Sequence, residues 1–191
     1  MSTPTDPAQR PMRADARRNY EKLVTAAREL FAKDGAAVSL EEVARHAGVG
    51  SATLHRNFPS RQHLLEAVYA GEVEEMSRVD GLEDLDPWDA LITWLRRFAT
   101  FAATKRAIGD ALAVYVERDD PVFKRSGAAI TEAGEPLLKR AQEAGVVRDD
   151  AVFLDVARMV VGIAAVRTAD PEQHARILDL ALDGLRPSAR G

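Results

Sequence analysis

A twelve-residue stretch, residues 47–58 (AGVGSATLHRNF), joins a glycine corner to side chains that donate and accept hydrogen bonds. An α-helix fits the major groove of DNA, where an arginine can bond guanine O6 and N7 with both arms of its guanidinium group. Hydroxyl, imidazole and amide groups beside such an arginine can reach phosphates or base edges. Candidates for DNA recognition are therefore Ser51, Ala52, Thr53, His55, Arg56 and Asn57.

The spacing of the apolar residues in this stretch orients the polar ones. Leu54 and Phe58 are four residues apart, so on a helix they share one side, and Ala52 and Arg56 project nearly opposite Leu54. Gly48 can adopt the positive φ that a tight turn between two helices requires. We therefore predict a helix-turn-helix whose second helix is anchored by Leu54 and Phe58 and exposes Arg56.

The flanking residues support two further helices. Ser39 and Glu42 have the spacing of a capping box, in which each side chain bonds the other residue's backbone N–H. Pro59 limits the helix before it, and Ser60 opens the next helix. Arg61 at that helix start can hold a phosphate together with the free backbone N–H groups.

The charge is unevenly distributed along the chain. The net charge is −4, yet residues 1–61 hold 10 Lys/Arg and 7 Asp/Glu, so the first third of the chain is positive and the remainder is acidic. Residues 1–16 contain three prolines and no apolar periodicity, which predicts a disordered basic arm. Arginines 10, 13, 17 and 18 make the end of this arm cationic, and Arg17 is a further candidate for DNA contact.

The rest of the chain has the 3.6-residue periodicity of amphipathic helices and no alternation typical of strands. Asp-Pro pairs at residues 86–87 and 170–171 place a helix cap before a first-turn proline. The prediction is an all-α protein of about nine helices, with Gly109–Val116 as one of them. Its predicted domains are a disordered arm (1–16), a helix-turn-helix domain (17–60) and a ligand-binding and dimerisation domain (61–191).

Several classes of protein are excluded by composition. The chain has no cysteine, its 4 histidines show no H-E-x-x-H spacing, and no G-x-S-x-G motif is present, so we expect no enzyme, cofactor or metal site. The longest apolar run, residues 159–166, is far shorter than the ~20 residues that span a bilayer. The first residues lack the apolar segment of a signal peptide. The expected location is the cytoplasm, with no membrane partner.

Two sets of apolar residues in the second domain suggest further functions. The last two helices are apolar around most of their circumference, which predicts burial on more than one side and a homodimer. The predicted dimer interface comprises Val156, Val160, Ile163, Ile177, Leu178, Ala181, Leu182 and Leu185. Residues that pack a core or line an apolar pocket for a small molecule are Trp94, Phe98, Phe101, Tyr115, Phe123 and Met159.

Residues 17–65, and most densely residues 39–65 (SLEEVARHAGVGSATLHRNFPSRQHLL), resemble the DNA-binding head of the tetracycline-repressor (TetR) family of transcriptional regulators. Four positions depart from the family pattern: Ala52 replaces a frequent glycine, His55 replaces a tyrosine, Asn57 replaces a tyrosine or histidine, and Arg61 replaces a frequent lysine and keeps its charge. By this resemblance residues 51–57 occupy the recognition helix, and Ser39 and Arg61 occupy positions that contact phosphates.

The resemblance implies a homodimeric regulator, usually a repressor, that binds double-stranded DNA at a palindromic operator. A small molecule, whose identity the sequence does not give, binds the C-terminal body and lowers the affinity for DNA. A helical adaptor that binds protein and has lost DNA binding is the alternative left open, and activator and repressor are not distinguished by sequence.

Overall fold

The computed structural model describes residues 9–34, 38–117, 120–166 and 170–187. Within these ranges all regular structure is helical, and the prediction of an all-α fold is confirmed. The helices are α1 (Gln9–Asp34), α2 (Leu40–Ala47), α3 (Ser51–Asn57), α4 (Arg61–Ser77), α5 (Pro87–Leu112), α6 (Pro121–Glu143), α7 (Phe153–Ala164) and α8 (Pro171–Asp183). None of these helices is both long enough and apolar enough to cross a membrane.

The contacts divide the chain into two compact units. The first unit extends to Tyr69 and includes Ala107–Val116, and the second contains Ala70–Arg106 and the residues from Glu117 onward. Two helices therefore contribute to both units: α4 changes unit after Tyr69, and α5 changes unit after Arg106. The domain boundary predicted from sequence, at residue 60, lies between α3 and α4, before the point at which α4 changes unit.

In the first unit, α1 packs against α2 and α3. The apolar stripes of these helices meet in a small core, which excludes water from one side of each helix. The buried residues that α1–α4 and the turn after α3 contribute to this unit include Leu23, Ala27, Phe31, Val43, Leu54, Phe58, Leu64, Leu65 and Val68.

The predicted disordered arm is corrected in part. Residues 1–8 lie outside the described residues, but α1 begins at Gln9, so residues 9–16 are helical. Pro11 does not prevent this, because the backbone N–H groups of the first helical turn have no acceptor within the helix and a proline there removes no hydrogen bond.

The second unit is built around α5. A single apolar cluster joins residues of α5 to residues of α6, α7 and α8, with Leu91, Trp94 and Leu95 fully buried. Helix α8 begins as its Asp-Pro pair predicts, because the Asp170 carboxylate accepts the backbone N–H of Glu172 at 2.9 Å. Helix α6 begins in the same way, with the Asp120 carboxylate accepting the backbone N–H of Val122 at 2.9 Å. This cap satisfies an N–H group that has no acceptor within the helix.

One predicted helix boundary is wrong. Gly109 does not start a separate helix, since α5 continues to Leu112. Pro136 lies within α6, which runs without interruption from Pro121 to Glu143, and its ring is exposed. On an exposed helix face the ring has room, and the missing hydrogen bond leaves a carbonyl that water can reach.

Candidate nucleic-acid interface

The turn between α2 and α3 has the predicted geometry. Ser39 caps α2: its hydroxyl accepts the Glu42 N–H at 3.2 Å, and its own N–H donates to Glu42 Oε2 at 2.8 Å. The Glu42 carboxylate accepts hydrogen bonds from the Ser39 N–H and from the Ser39 hydroxyl, and these bonds, the first more than the second, lower the pKa of Glu42. Gly48 ends α2 with φ 63° and ψ 33°, a left-handed conformation that costs glycine little.

Helix α3 is held by two buried side chains. Leu54 and Phe58 are both buried, which confirms the predicted orientation of the helix. Phe58 is the C-terminal cap residue of α3, and its ring centroid lies 5.0 Å from that of Tyr20 on α1. The C-terminal end of α3 is therefore packed against α1.

The opposite side of α3 is open to solvent. Ser51, Ala52, His55 and Arg56 are exposed, and Thr53 and Asn57 are half-buried at the edges. The small Ala52 beside Arg56 allows a close approach of the helix to base edges. The structure thus places all six predicted recognition residues on one short helix, four of them on its exposed side and two at the edges of that side.

Arg56 is folded back along its own helix. Its Nε donates to the Ala52 carbonyl at 3.2 Å and its Nη2 donates to Thr53 Oγ1 at 3.1 Å. The Asn57 side-chain amide likewise donates to the Thr53 carbonyl, at 2.8 Å. Because a guanidinium group carries five N–H donors, these two bonds leave donors for a base edge.

The two residues assigned to phosphate contact have structural partners. The Ser39 hydroxyl donates to the Glu42 carboxylate at 2.8 Å, so the carboxylate places negative charge where a phosphate would approach. Arg61 is half-buried, and its Nη1 donates to the Val38 carbonyl, which ties the start of α4 to the residue before Ser39. Arg17 is exposed on α1, and its Nε donates to Glu21 at 2.8 Å.

The residues predicted to line a ligand pocket are only partly brought together. Trp94 stacks on Phe98 at 5.6 Å and Phe98 on Phe101 at 6.4 Å, and Met159 packs against the same cluster. Phe123 is half-buried outside the cluster. Tyr115, which is predicted from sequence to line the pocket, is not part of this cluster. It lies in a turn beyond the end of α5, belongs to the first unit, and is 48% exposed.

The predicted dimer interface is also corrected. Five of its eight residues are buried in the core of the single chain, so their side chains have no surface to present to a partner: Val156, Val160, Leu178, Leu182 and Leu185. Ile163, Ile177 and Ala181 are half-buried. The exposed apolar side chains on these helices are instead Leu154 and Val161 on α7 and Leu180 on α8.

Sequence analysis missed two features of the second unit. Glu72 of α4 and Lys105 of α5 form an ion pair of 3.1 Å, with side chains only 10% and 17% exposed. Each interrupts an otherwise apolar helical stripe, and two opposite charges in such positions could have indicated the pair. Gly134 of α6 is buried against the rings of Phe153 and Trp94.

Among the described residues, no three acidic or histidine side chains are grouped so that they could hold a metal ion. The candidate site is the outward side of α3. Its exposed arginine, hydroxyl groups and amide can bond base edges and phosphates, and no group there is arranged for catalysis.

Two models of known protein families match this chain, one in each of its two parts. Residues 23–68 match the model of bacterial regulatory proteins of the tetR family, and residues 86–187 match the C-terminal domain of SbtR-like transcriptional regulators. No significant match was found among the curated proteins.

Solved structures give the same result. A TetR transcriptional regulator from Streptomyces coelicolor is 40% identical, with a TM-score of 0.74, and the alignment covers 89% of this chain and 99% of that one. A TetR regulatory protein from Mycobacterium vanbaalenii is 31% identical, with a TM-score of 0.73 and coverage of 93% and 100%. A gamma-butyrolactone receptor is 20% identical over 92% of both chains, with a TM-score of 0.61, and shows the shared fold.

Proposed function

The chain belongs to the TetR family of transcriptional regulators, and from this membership we propose that it is a homodimeric repressor released from a palindromic operator by a small molecule. Proteins of this family bind DNA, respond to ligands and are not enzymes. As a regulator of transcription it is expected to act in the cytoplasm, where bacterial DNA is located.

The observation that carries the DNA-binding proposal is the geometry of α3. Its apolar side is fixed by Leu54 and Phe58, and its outer side presents Arg56 between small and polar residues. Binding requires Arg56 to exchange its bonds to Ala52 and Thr53 for base-edge acceptors. The exchange costs little, because both bonds are exposed and water already competes for them.

A dimer follows from the shortness of the recognition helix. A helix of 7 residues contacts few base pairs, whereas a two-fold pair reads two half-sites that lie about 34 Å apart. In place of the buried residues predicted from sequence, we assign the interface to the exposed apolar residues Leu154, Val161 and Leu180. Leu154 and Val161 are seven residues apart and therefore share one side of α7.

We assign the effector to the second unit, where the aromatic cluster of Trp94, Phe98 and Phe101 lies. An effector lowers DNA affinity only if it binds more tightly to the conformation that holds the recognition helices out of register with the two half-sites. Helix α4 is the proposed lever, since it begins at Arg61 beside the recognition helix and its residues after Tyr69 belong to the second unit.

Selection of bound duplexes from a random DNA pool tests the proposal. We expect a palindromic sequence, and fluorescence anisotropy should show tight binding that weakens steeply with salt between about 50 and 300 mM. Replacing Arg56 by alanine should cost about 1–3 kcal/mol of specific binding at one base position. Arg45→Ala, an exposed arginine on α2, is the matched control.

Two results would contradict the proposal. Selection without any enriched sequence, together with the absence of salt-dependent DNA affinity, would favour the helical adaptor that binds protein. Unchanged discrimination between bases in the Arg56 variant would remove α3 as the reading element even if DNA binding itself persists.

A further inference from the structure

One side of α5 carries a row of aromatic rings that is followed by a charged residue. Trp94, Phe98, Phe101 and Lys105 are spaced by four, three and four residues, so they share one side of the helix. Neighbouring rings stack, with centroids 5.6 Å apart for Trp94 and Phe98 and 6.4 Å apart for Phe98 and Phe101. We call the three rings the aromatic row, and Lys105 lies about one helical turn beyond it.

Burial decreases along this side of α5. Trp94 and Phe98 are buried, whereas Phe101 is half-buried where it packs against the apolar cluster of the second unit. The side chain of Lys105 keeps 17% of its surface exposed. The row therefore runs from the core toward solvent, and a small molecule can approach it from the end at which Phe101 and Lys105 lie.

A carboxylate from α4 lies at this open end of the row. Glu72 Oε1 is 3.1 Å from Lys105 Nζ, and the Glu72 side chain is only 10% exposed. A carboxylate removed from water requires a positive partner, because an isolated charge is costly to bury. The requirement is for a positive charge, and a cation other than Lys105 that reaches Glu72 also meets it.

The two partners of this ion pair differ in their freedom to move. The ammonium group of a lysine is strongly hydrated and sits on a flexible four-carbon stem. Lys105 is the more exposed partner, so its side chain can turn outward and return its charge to water. Glu72 is shorter and more buried, so its carboxylate stays in place. An exchange of partners therefore favours a new cation on Glu72 over a new anion on Lys105, which would leave Glu72 without its ammonium partner.

We propose that Glu72 recognises the effector, and that the effector is an amine: a cation with an apolar, aromatic body. Its ammonium group takes the place of the Lys105 ammonium group beside Glu72, and its body lies against Phe101 at the open end of the aromatic row. The inference rests on the proposed function, which assigns the effector to the second unit.

Two further observations favour a cation at this position. The faces of aromatic rings attract cations, and the aromatic row lies beside the carboxylate. The chain from residue 62 onward holds 16 Lys/Arg and 23 Asp/Glu, so its net charge is negative. A negative net charge raises the concentration of cations near the surface and lowers that of anions.

The same exchange connects effector binding to α4, the proposed lever. Glu72 has Lys105 as its partner only where α4 and α5 bring the two side chains together. In a conformation that separates them, Glu72 loses this partner unless the amine supplies a positive charge. The amine therefore stabilises such conformations more than the one in which the ion pair is formed. This difference in affinity is the condition under which an effector shifts DNA binding.

Three probes that share one ring system and differ in charge test the assignment. They are naphthylmethylamine, which is a cation at neutral pH, the uncharged naphthylmethanol, and the anion naphthoate. Isothermal titration calorimetry with the full chain, without DNA, measures the affinity for each probe. We expect the wild type to bind the amine at least about tenfold more tightly than the alcohol, because the amine adds a hydrogen bond to a charged group. Naphthoate should bind more weakly than the alcohol.

Variants of the ion pair have opposite expected effects on the affinity for the amine. Lys105→Met removes the competing ammonium group and should bind the amine more tightly than the wild type does. The double variant Glu72→Leu, Lys105→Met should bind the amine no more tightly than the alcohol. Replacement of both buried charges by apolar residues changes stability little, so this loss is not a loss of fold, and circular dichroism checks the helix content. A purely structural role of the pair would not produce tighter binding in Lys105→Met.

Two measurements keep the comparison sound. Glu75→Gln is the matched control, because it removes the same charge from an exposed ion pair with Arg78 on the same helix, and it should leave the affinity for the amine unchanged. Lys105→Met lowers stability, so its melting temperature is measured with and without the amine. The amine should raise this temperature more than it raises that of the wild type, since tighter binding to the folded state stabilises it more.

The outcomes distinguish this inference from the proposed function. Absence of amine binding, equal affinities for the amine and the alcohol, or weaker amine binding in Lys105→Met would overturn the inference and leave operator recognition by α3 intact. An amine that binds but leaves the affinity for the selected duplex unchanged in fluorescence anisotropy would overturn the role of Glu72 in effector recognition. Absence of any selected duplex would overturn the proposed function, whereas calorimetry, which needs no DNA, would still decide whether Glu72 binds the amine.

Discussion

Substitution of Gly134 by alanine gives the sharpest test of the packing in the second unit. A Cβ atom on Gly134 would lie 2.4 Å from Phe153 Cε2 and 2.6 Å from Trp94 Cη2. Carbon atoms in contact prefer about 3.5–4.0 Å, so each ring must retreat by about 1 Å. The rings belong to different helices, α7 and α5, and both are buried, so neither can move without displacing further side chains.

The expected magnitude follows from two opposing effects. Overpacking a core with a methyl group costs about 1–3 kcal/mol, whereas glycine-to-alanine replacement within a helix gains about 0.5–1 kcal/mol. Gly134→Ala should therefore lose about 1–2 kcal/mol of unfolding free energy. Gly127→Ala is the matched control on the same helix, since nothing lies within 4 Å of its added Cβ. It should gain about 0.5–1 kcal/mol.

Denaturant unfolding followed by circular dichroism measures both changes. The chain has two tryptophans, so replacing Trp88 by phenylalanine in all variants makes the fluorescence report on Trp94 alone. We expect Gly134→Ala to shift the midpoint downward and to change the Trp94 emission of the folded protein. A Gly134→Ala variant as stable as Gly127→Ala, with the emission of the wild type, would refute the packing described for Gly134.

Three further predictions concern the cap of α2, the buried ion pair and the dimer. Hydrogen bonds from Ser39 lower the pKa of Glu42 in the folded protein. The stabilisation that they provide is present above the pKa of the unfolded state and is lost as the pH falls through the pKa of the folded state. Glu42→Gln should therefore flatten the acid side of a stability–pH profile measured by thermal melting. Lys105→Ala should lower the free energy of unfolding by about 3 kcal/mol, because it leaves the buried Glu72 carboxylate without its ammonium partner. The double variant Glu72→Leu, Lys105→Met removes both charges and should unfold near the wild-type denaturant midpoint. Leu180→Glu should weaken the dimer by about 2 kcal/mol, or ~30-fold in Kd, as measured by sedimentation velocity. Ala175→Glu, on another side of α8, is the control and should leave the dimer affinity unchanged. Equal dimer affinity in both variants would exclude this interface.

Short-range signals in the sequence predicted the local structure of the recognition element well. The capping box of Ser39 and Glu42 and the left-handed Gly48 are decided by residues at most four positions apart, so no tertiary contact is needed to predict them. The burial of Leu54 and Phe58 was predictable for a related reason, since the period of the helix fixes which residues share a side.

The dimer residues were not predictable in this way. Periodicity indicates that a side chain is apolar and buried, but it does not indicate whether the same chain or a partner covers it. Val160 and Leu182 lie within the core of their own chain. Leu180, which the predicted interface does not include, is 74% exposed. Distinguishing these residues requires the packing of α7 against α8, which depends on long-range contacts.

The length of α1 could not be predicted from apolar pattern either. Residues 9–22 have too few apolar side chains to form a stripe, and their proline and charges resemble those of a disordered segment. The helix forms there because it continues one that is already nucleated and packed at Leu23, and propagation costs far less than nucleation.

The ion pair of Glu72 and Lys105 has a position that its stability alone does not explain. Buried pairs stabilise a fold little compared with apolar residues of the same volume, although removal of one partner is costly. This pair lies three residues after the point where α4 passes into the second unit and one residue before the point where α5 leaves it. The charges favour the arrangement of α4 and α5 in which the two side chains meet, because an arrangement that buries one of them without the other leaves an unpaired charge. Two apolar side chains at these positions carry no such penalty, so the pair adds to the specificity with which α4 packs against α5 rather than to the stability of the fold.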